Sequence, residues 1–143
     1  MTASRVVIDA SVMLAAIRAR NRRSASCVVI GMAALGELVA IVSAPIVAEY
    51  RRKASEPEVR EASQVPDPLR FALDLVAVAE SVEPVTVRVV KHDPSDDVYL
   101  GTALAGRADY LVTFERAHLL PLDPFRGVRV VPPGMFLTLL RSR

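Results

Sequence analysis

The stretch Arg5-Val6-Val7-Ile8-Asp9-Ala10-Ser11-Val12 sets a short apolar, β-branched run against an aspartate, and Ser11 to Ile17 then continues as an apolar series. The first part predicts a strand over Arg5 to Ile8, and the second predicts the helix that follows it. A strand passing at once into a helix is the repeating unit of an α/β fold. Asp9 stands at the junction, in a segment that is otherwise wholly apolar.

Working outward, the same alternation recurs. A helix is predicted over Ala25 to Leu35, a strand over Leu38 to Val42, and a helix from Pro45, where a missing N–H costs nothing. Ser55 to Pro68 carries prolines and charges with little periodicity and reads as a loop or irregular helix. A helix follows from Pro68 to Ser81, then a β-branched, alternating strand over Val85 to Val90. Asp93-Pro94-Ser95-Asp96-Asp97 opens a helix over Val98 to Gly106, Asp109 to Thr113 reads as a strand, and a loop runs through Pro121 and Pro124. Val128 to Val131 and Gly134 to Leu140 close the chain as strand and helix. The expected fold is a three-layer α/β/α arrangement with a mainly parallel sheet of about five strands, because the strands are apolar without strong polar alternation.

With 143 residues, 52% of them hydrophobic, residues 1–143 are expected to form one domain with a full core. The mean hydropathy of +0.32 argues against disorder. Net charge is only +2, but Lys53 and Lys91 are the only lysines, so the basic complement is nearly all arginine. Its planar fork grips phosphate bidentately, and the runs Arg18, Arg20, Arg22, Arg23 and Arg51, Arg52, Lys53 are compatible with nucleic acid or with a plain solvated surface. Cys27 is the single cysteine, which excludes a disulfide frame and fits a reducing cytosol. The N-terminus has no secretory pattern, since Asp9 interrupts the first apolar segment. Cys27 to Ala48 has the length of a membrane span, but Gly36-Glu37 and Ser43-Ala44-Pro45 punctuate it into helix, strand and helix. A cytoplasmic, non-membrane protein is expected.

Four acids fall where such a fold gathers side chains: Asp9 after the first strand, Glu49 early in a helix, Asp97 at a helix entrance and Glu115 after a late strand. Carboxylates about 4 Å apart repel by about 4 kcal/mol at an effective dielectric near 20, so a cluster of them calls for a cation. Oxygen ligands suit Mg²⁺ or Mn²⁺, which activate water against a phosphodiester. Structural readings compete at each position. Asp9 or Ser11 suits a helix N-cap, and Glu49 and Lys53 form an ordinary i, i+4 pair. Asp93 as N-cap, Pro94 at the first helical position and Asp96 three residues on resemble a capping arrangement, which leaves both acids outside the metal shell. Asp97 shares the helical spacing i, i+3, i+4, i+7 with Leu100, Gly101 and Leu104, a face expected to point inward, with Gly101 allowing close backbone approach. His92 and His118, the only histidines, read as surface or loop residues.

Taken in order, Arg5 to Val12, Ser43 to Tyr50, Asp93 to Leu100 and Ala108 to Glu115, with the closing strand and helix, resemble the PIN-domain nucleases, especially the toxin components of VapBC-like toxin–antitoxin systems. The resemblance implies that Asp9, Glu49, Asp97 and Glu115 are the four catalytic acids and that Ser11 and Thr113 are hydroxyl neighbours that orient them. Asp9 and Asp97 are the implied ligands of Mg²⁺ or Mn²⁺, with Glu49 and Glu115 reaching the metal through water. It further implies hydrolysis of RNA to a 5′-phosphate and a 3′-hydroxyl, a cognate antitoxin protein and a homodimer. Two positions depart from the family pattern: Glu115 stands where Asp or Asn is commoner, and Ser11 where Asn is commoner. Other readings are an RNA-processing nuclease without a toxin role and a catalytically idle RNA- or protein-binding domain. A receiver-type phosphotransfer protein is disfavoured by the lack of a second acid beside Asp9.

Overall fold

The computed structural model describes residues 3–89 and 93–142. In chain order the elements are β1 (Ser4–Ile8), α1 (Ala10–Arg18), α2 (Ala25–Ala34), β2 (Leu38–Val42), α3 (Ala44–Ala54), α4 (Pro57–Ala62) and α5 (Pro68–Val78). β3 (Glu80–Ser81), α6 (Pro94–Ala105), β4 (Tyr110–Val112), β5 (Arg129–Val131) and α7 (Pro133–Arg141) complete the chain. The strands form one parallel sheet in the order β3-β2-β1-β4-β5. Successive residues Val6, Val7 and Ile8 of the central strand are all buried, as are Leu111 and Val112 beside them. Neighbours in a strand point to opposite faces, so both faces of the sheet are covered, and the fold is the expected three-layer α/β/α arrangement. Each fully buried Val or Ile contributes about 1.5–3 kcal/mol to holding these layers together.

The strand order has a consequence for function. From β1 the chain steps one way to β2 and β3, then returns past β1 to β4 and β5. The order therefore reverses between β1 and β4, and a crevice opens outside the carboxyl ends of strands at such a reversal. Asp9 follows β1, and Thr113 to Glu115 follow β4, so both lead directly into it.

One strand is not where the sequence pattern puts it. The helix expected to reach Ser81 stops at Val78, and Glu80 and Ser81 pair with Ile41 and Val42 of β2. The Arg5 guanidinium, two strands in, ion-pairs with Glu80, and the Val82 N–H donates to the Val42 carbonyl at 2.9 Å. The alternating Val85-Thr86-Val87-Arg88-Val89 run makes no ladder among the described residues; Val90, at its expected end, and His92 lie outside them. The run instead crosses α6 as an extended strap. Val85 N–H donates to the Gly101 carbonyl at 3.2 Å, and Val87 is buried while Val85 and Val89 are exposed. The alternation predicts a strand with its valines on one side; the run forms no ladder among the described residues, and of Val85, Val87 and Val89 only Val87 is buried. Gly101 makes the crossing feasible, since a Cβ there would lie 2.1 Å from the Val85 carbonyl oxygen.

The apolar stretch from Cys27 to Ala48 divides into α2, β2 and the start of α3. Among the described residues no helix is long and apolar enough to cross a membrane.

Candidate active site

Asp9 occupies the N-cap position of α1 in an extended conformation, but its side chain does not cap the helix. Its Oδ2 accepts instead from the Ser11 hydroxyl at 2.6 Å and the Thr113 hydroxyl at 2.7 Å. Both hydroxyls are themselves oriented by β4's exit, since Ser11 Oγ accepts from Phe114 N–H at 3.2 Å and Thr113 Oγ1 from Glu115 N–H at 2.9 Å. With their acceptor sides occupied, the hydroxyl protons face Asp9. Asp9 is 7% exposed, and two fixed donors hold its carboxylate in one rotamer.

Glu49 reaches the same end of the sheet from α3. Tyr99, on α6, donates its hydroxyl proton to Glu49 Oε1 at 2.7 Å and accepts from the Ala10 N–H at 3.2 Å. One phenol thus ties the start of α1 to Glu49. Burial, followed by the charges of Tyr50, Asp9 and Glu49, raises the Tyr99 hydroxyl well above the usual phenol range, so it remains a donor. Lys53 stands 4.0 Å from the same Glu49 oxygen, so the i, i+4 pair anticipated from spacing is present beside the Tyr99 contact. The neighbouring Tyr50 hydroxyl bonds the Ile8 carbonyl, and Ser43 and Thr102 share a buried hydrogen bond of 2.8 Å that fixes α6 against the end of β2.

At the entrance of α6 the two candidate aspartates separate. On the face expected to point inward, Leu100 and Gly101 are buried, but the Asp97 carboxylate bonds Val89 N–H outside the group of acids. The buried acid is Asp96, which lies with Tyr99, Leu100 and Ala103 on the stripe one residue earlier in the same helical repeat. Asp97 is half-buried and turns to the strap, where its Oδ1 accepts from Val89 N–H at 3.3 Å. The physical reason lies in Gly101, four residues on and therefore on Asp97's face: the strap sits against that glycine, so this side of α6 is already covered by Val85 to Val89. Asp93 does cap the helix, accepting from Ser95 N–H at 3.1 Å, and its bond from the Ser95 hydroxyl is the main cause that lowers its carboxyl below the usual range. Asp96, in the same first turn, is buried. Burial first, then the negative charges of Asp93, Glu115 and Asp9, push its carboxyl up to about 7. Its Oδ2 is buried and accepts no hydrogen bond.

Glu115 uses its extra methylene to fold back over its own loop. Oε1 accepts from Ala117 N–H at 3.2 Å, and Oε2 from His118 and Leu119 N–H at 2.5 and 3.0 Å. This turn brings His118 in from the loop, with Nδ1 3.5 Å from Asp96 Oδ2 and 3.8 Å from Glu115 Oε1. The crevice therefore gathers Asp9, Glu49, Asp96 and Glu115, with Tyr99, His118 and Asp93 among them. The sequence pattern leaves Asp96 outside the metal shell, reads His118 as a surface or loop residue, and does not single out Tyr99. The signal for Asp96 is present, since Asp96, Tyr99, Leu100 and Ala103 repeat at helical spacing as well as the Asp97 series does.

The donor set fits a divalent cation: it is oxygen-rich, mutually repulsive, and contains a buried carboxylate oxygen with nothing to bond. Around it, Phe114 and Arg116 flank Glu115 on the exposed side, and Arg51 and Arg52 are exposed just beyond Glu49 on α3. Arg22, from the other basic run, is engaged in structure, donating to the Ala16 and Ala19 carbonyls at 2.5 and 3.0 Å.

No curated protein matches this chain. The family model of the PIN domain does match, over residues 5–117, a span that opens in β1 beside Asp9 and closes in the Glu115 turn. With that match covering most of the chain and the acids meeting where the strand order reverses, the chain belongs to the PIN-domain family.

Proposed function

We propose that this chain is a metal-dependent endoribonuclease in which Asp9 and Asp96 hold Mg²⁺ or Mn²⁺, with Glu49 and Glu115 completing the shell directly or through water. PIN domains are generally nucleases, and the observation that carries the finer reading is the buried, hydrogen-bond-free Asp96 Oδ2 facing the charges of Asp9 and Glu115. Burying a carboxylate without a partner costs several kcal/mol, which a bound cation offsets. Such an ion, when bound, supplies positive charge at the scissile phosphate and makes water a stronger nucleophile. The protein's own part is positioning. Ser11 and Thr113 hold Asp9 in one orientation, and Tyr99 holds Glu49. Arg51, Arg52 and Arg116 are available to the RNA backbone, and Phe114 offers an exposed ring to an unstacked base.

The test is cleavage of a labelled single-stranded RNA with and without Mg²⁺ or Mn²⁺. Metal-dependent products ending in 5′-phosphate, lost in Asp9→Asn and in Asp96→Asn while both variants keep the wild-type circular dichroism spectrum, are the expected result. Undiminished cleavage in either variant overturns it. In the cell, the same reading makes the chain the toxin of a VapBC-like pair, acting as a homodimer and neutralised by a small antitoxin. Growth arrest on expression, relieved by a neighbouring small open reading frame, tests that role separately from the chemistry.

A second reading has one specific observation in its favour. Glu115 spends its carboxylate on three backbone N–H groups, which leaves it less free to reach a metal. A domain that binds RNA without turnover would fit that, and RNA binding with no products at saturating Mn²⁺ would favour it.

A further inference from the structure

We infer that His118 is a metal ligand, and that with Asp93 and Asp96 it forms a nitrogen-containing cation position beside Asp9 that prefers a first-row transition ion to Mg²⁺. The inference deepens the nuclease reading by naming the class of ion, and it rests on that reading for the role of Asp96. One ligand atom from each of Asp93, Asp96 and His118 lies within 4.8 Å of the other two. Independently, Asp96 Oδ2 is buried on a side chain only 8% exposed and has no hydrogen-bond partner, although His118 Nδ1 is 3.5 Å away. An imidazole N–H serving only as counter-ion to that oxygen would close to hydrogen-bonding distance and satisfy it. At this separation both atoms remain within the 4.8 Å group that one ion could bridge.

Glu115 explains how the histidine comes to be there. Its carboxylate caps the turn at Ala117, His118 and Leu119, and so fixes the backbone that carries the imidazole. Mg²⁺ demands oxygen and water, whereas an imidazole donor favours the transition series. Mn²⁺ stands at the weak end of that series, so a preference measured with Mn²⁺ is a strict test.

The experiment loads the full chain with Mn²⁺ and records electron spin-echo envelope modulation. A directly coordinated ¹⁴N signal is expected in the wild type and in His92→Ala, and is expected to vanish in His118→Ala. Titration should give Mn²⁺ binding weakened at least about tenfold in His118→Ala, with Mg²⁺ binding changed less than about threefold. No ¹⁴N coupling in the wild type overturns the inference without requiring any variant to fold. Mn²⁺ affinity that is unchanged or raised in a folded His118→Ala also overturns it, since removing a competing imidazolium has that effect. RNA cleavage in Mg²⁺ together with absent ¹⁴N coupling sinks His118 as a ligand and leaves the nuclease reading standing. A coordinated nitrogen with no cleavage under any ion supports His118 and sinks the nuclease instead.

Discussion

Asp96 and Asp97 are adjacent in the chain and share the first turn of α6, yet their carboxylates enter different surroundings. Asp96 is buried among like charges with an oxygen left unbonded, while Asp97 reaches the strap and bonds Val89 N–H. A rotation of about 100° between successive helical residues separates the two environments. An acid held by protein donors is already satisfied, whereas an acid set among other acids, with its Oδ2 unbonded and His118 Nδ1 3.5 Å away, is a candidate for a cation. The comparison breaks most sharply in catalysis. Asp96→Asn should lower metal-dependent RNA cleavage about a hundredfold or more, whereas Asp97→Asn should stay within about fivefold of wild type. Single-turnover rates under saturating Mn²⁺ measure both, and a greater loss in Asp97→Asn would reverse the assignment.

The next effect separates the two acids by pH. The folded Asp96 carboxyl, at about 7, lies above the ordinary aspartate value of 3.8. The folded chain therefore retains a proton that the unfolded chain releases, so the stabilisation is complete below about pH 4 and is lost as pH rises to about 7. Metal-free protein should melt several degrees lower at pH 7.5 than at pH 5, and Asp96→Asn should flatten that slope while Asp97→Asn keeps it. Saturating Mn²⁺ should raise the melting temperature at pH 7.5, because the ion binds the native state and relieves the repulsion. A metal-free melting curve independent of pH, or one that Mn²⁺ leaves in place, would remove Asp96 from the centre of the site.

These contrasts also mark how far the amino-acid sequence can be read. β1 and Asp9 are legible because a charged residue closing an unbroken apolar run has few structural uses, and the alternation of elements carries the sheet. β3 is not legible, since Glu80 and Ser81 are too short for any periodicity and are stitched by Arg5 from a distant strand. On α6 the spacing admits two stripes, one through Asp96, Tyr99, Leu100 and Ala103 and one through Asp97, Leu100, Gly101 and Leu104. Periodicity finds a stripe but does not choose between neighbours; the strap lying on Gly101 makes that choice, and it comes from residues outside the helix. His118 depends on a turn built by the side chain of Glu115, which no residue spacing announces.

If the strap on Gly101 sets the rotation of α6, crowding that contact should be costly on the Asp97 side and mild at the metal. Gly101→Ala places a methyl against the Val85 carbonyl, where the approach of 2.1 Å forces a backbone shift. A loss of about 1–3 kcal/mol is expected by urea denaturation. Mn²⁺ affinity should fall less steeply than stability does, provided α6 keeps its orientation. Wild-type stability in Gly101→Ala would mean that the strap lifts freely and does not decide which aspartate faces inward.

The smallest effect tests whether the buried face positions its acids or merely packs them. Tyr99→Phe keeps the ring and removes only the hydroxyl that donates to Glu49 and accepts from Ala10 N–H. A hydrogen bond to a charged group is worth about 1.5–3 kcal/mol, but Lys53 still faces the freed Glu49 oxygen, so the lower end of that range applies. Cleavage should slow by about tenfold in kcat with little change in KM, because a loosened Glu49 disturbs the reacting geometry more than it disturbs RNA contacts. A purely structural tyrosine would instead lower the melting temperature and leave kcat intact once the protein is folded. Glu49→Gln supplies the control: if Tyr99 acts only through Glu49, adding Tyr99→Phe to that variant produces no further loss, and an additive loss would give the phenol a role of its own.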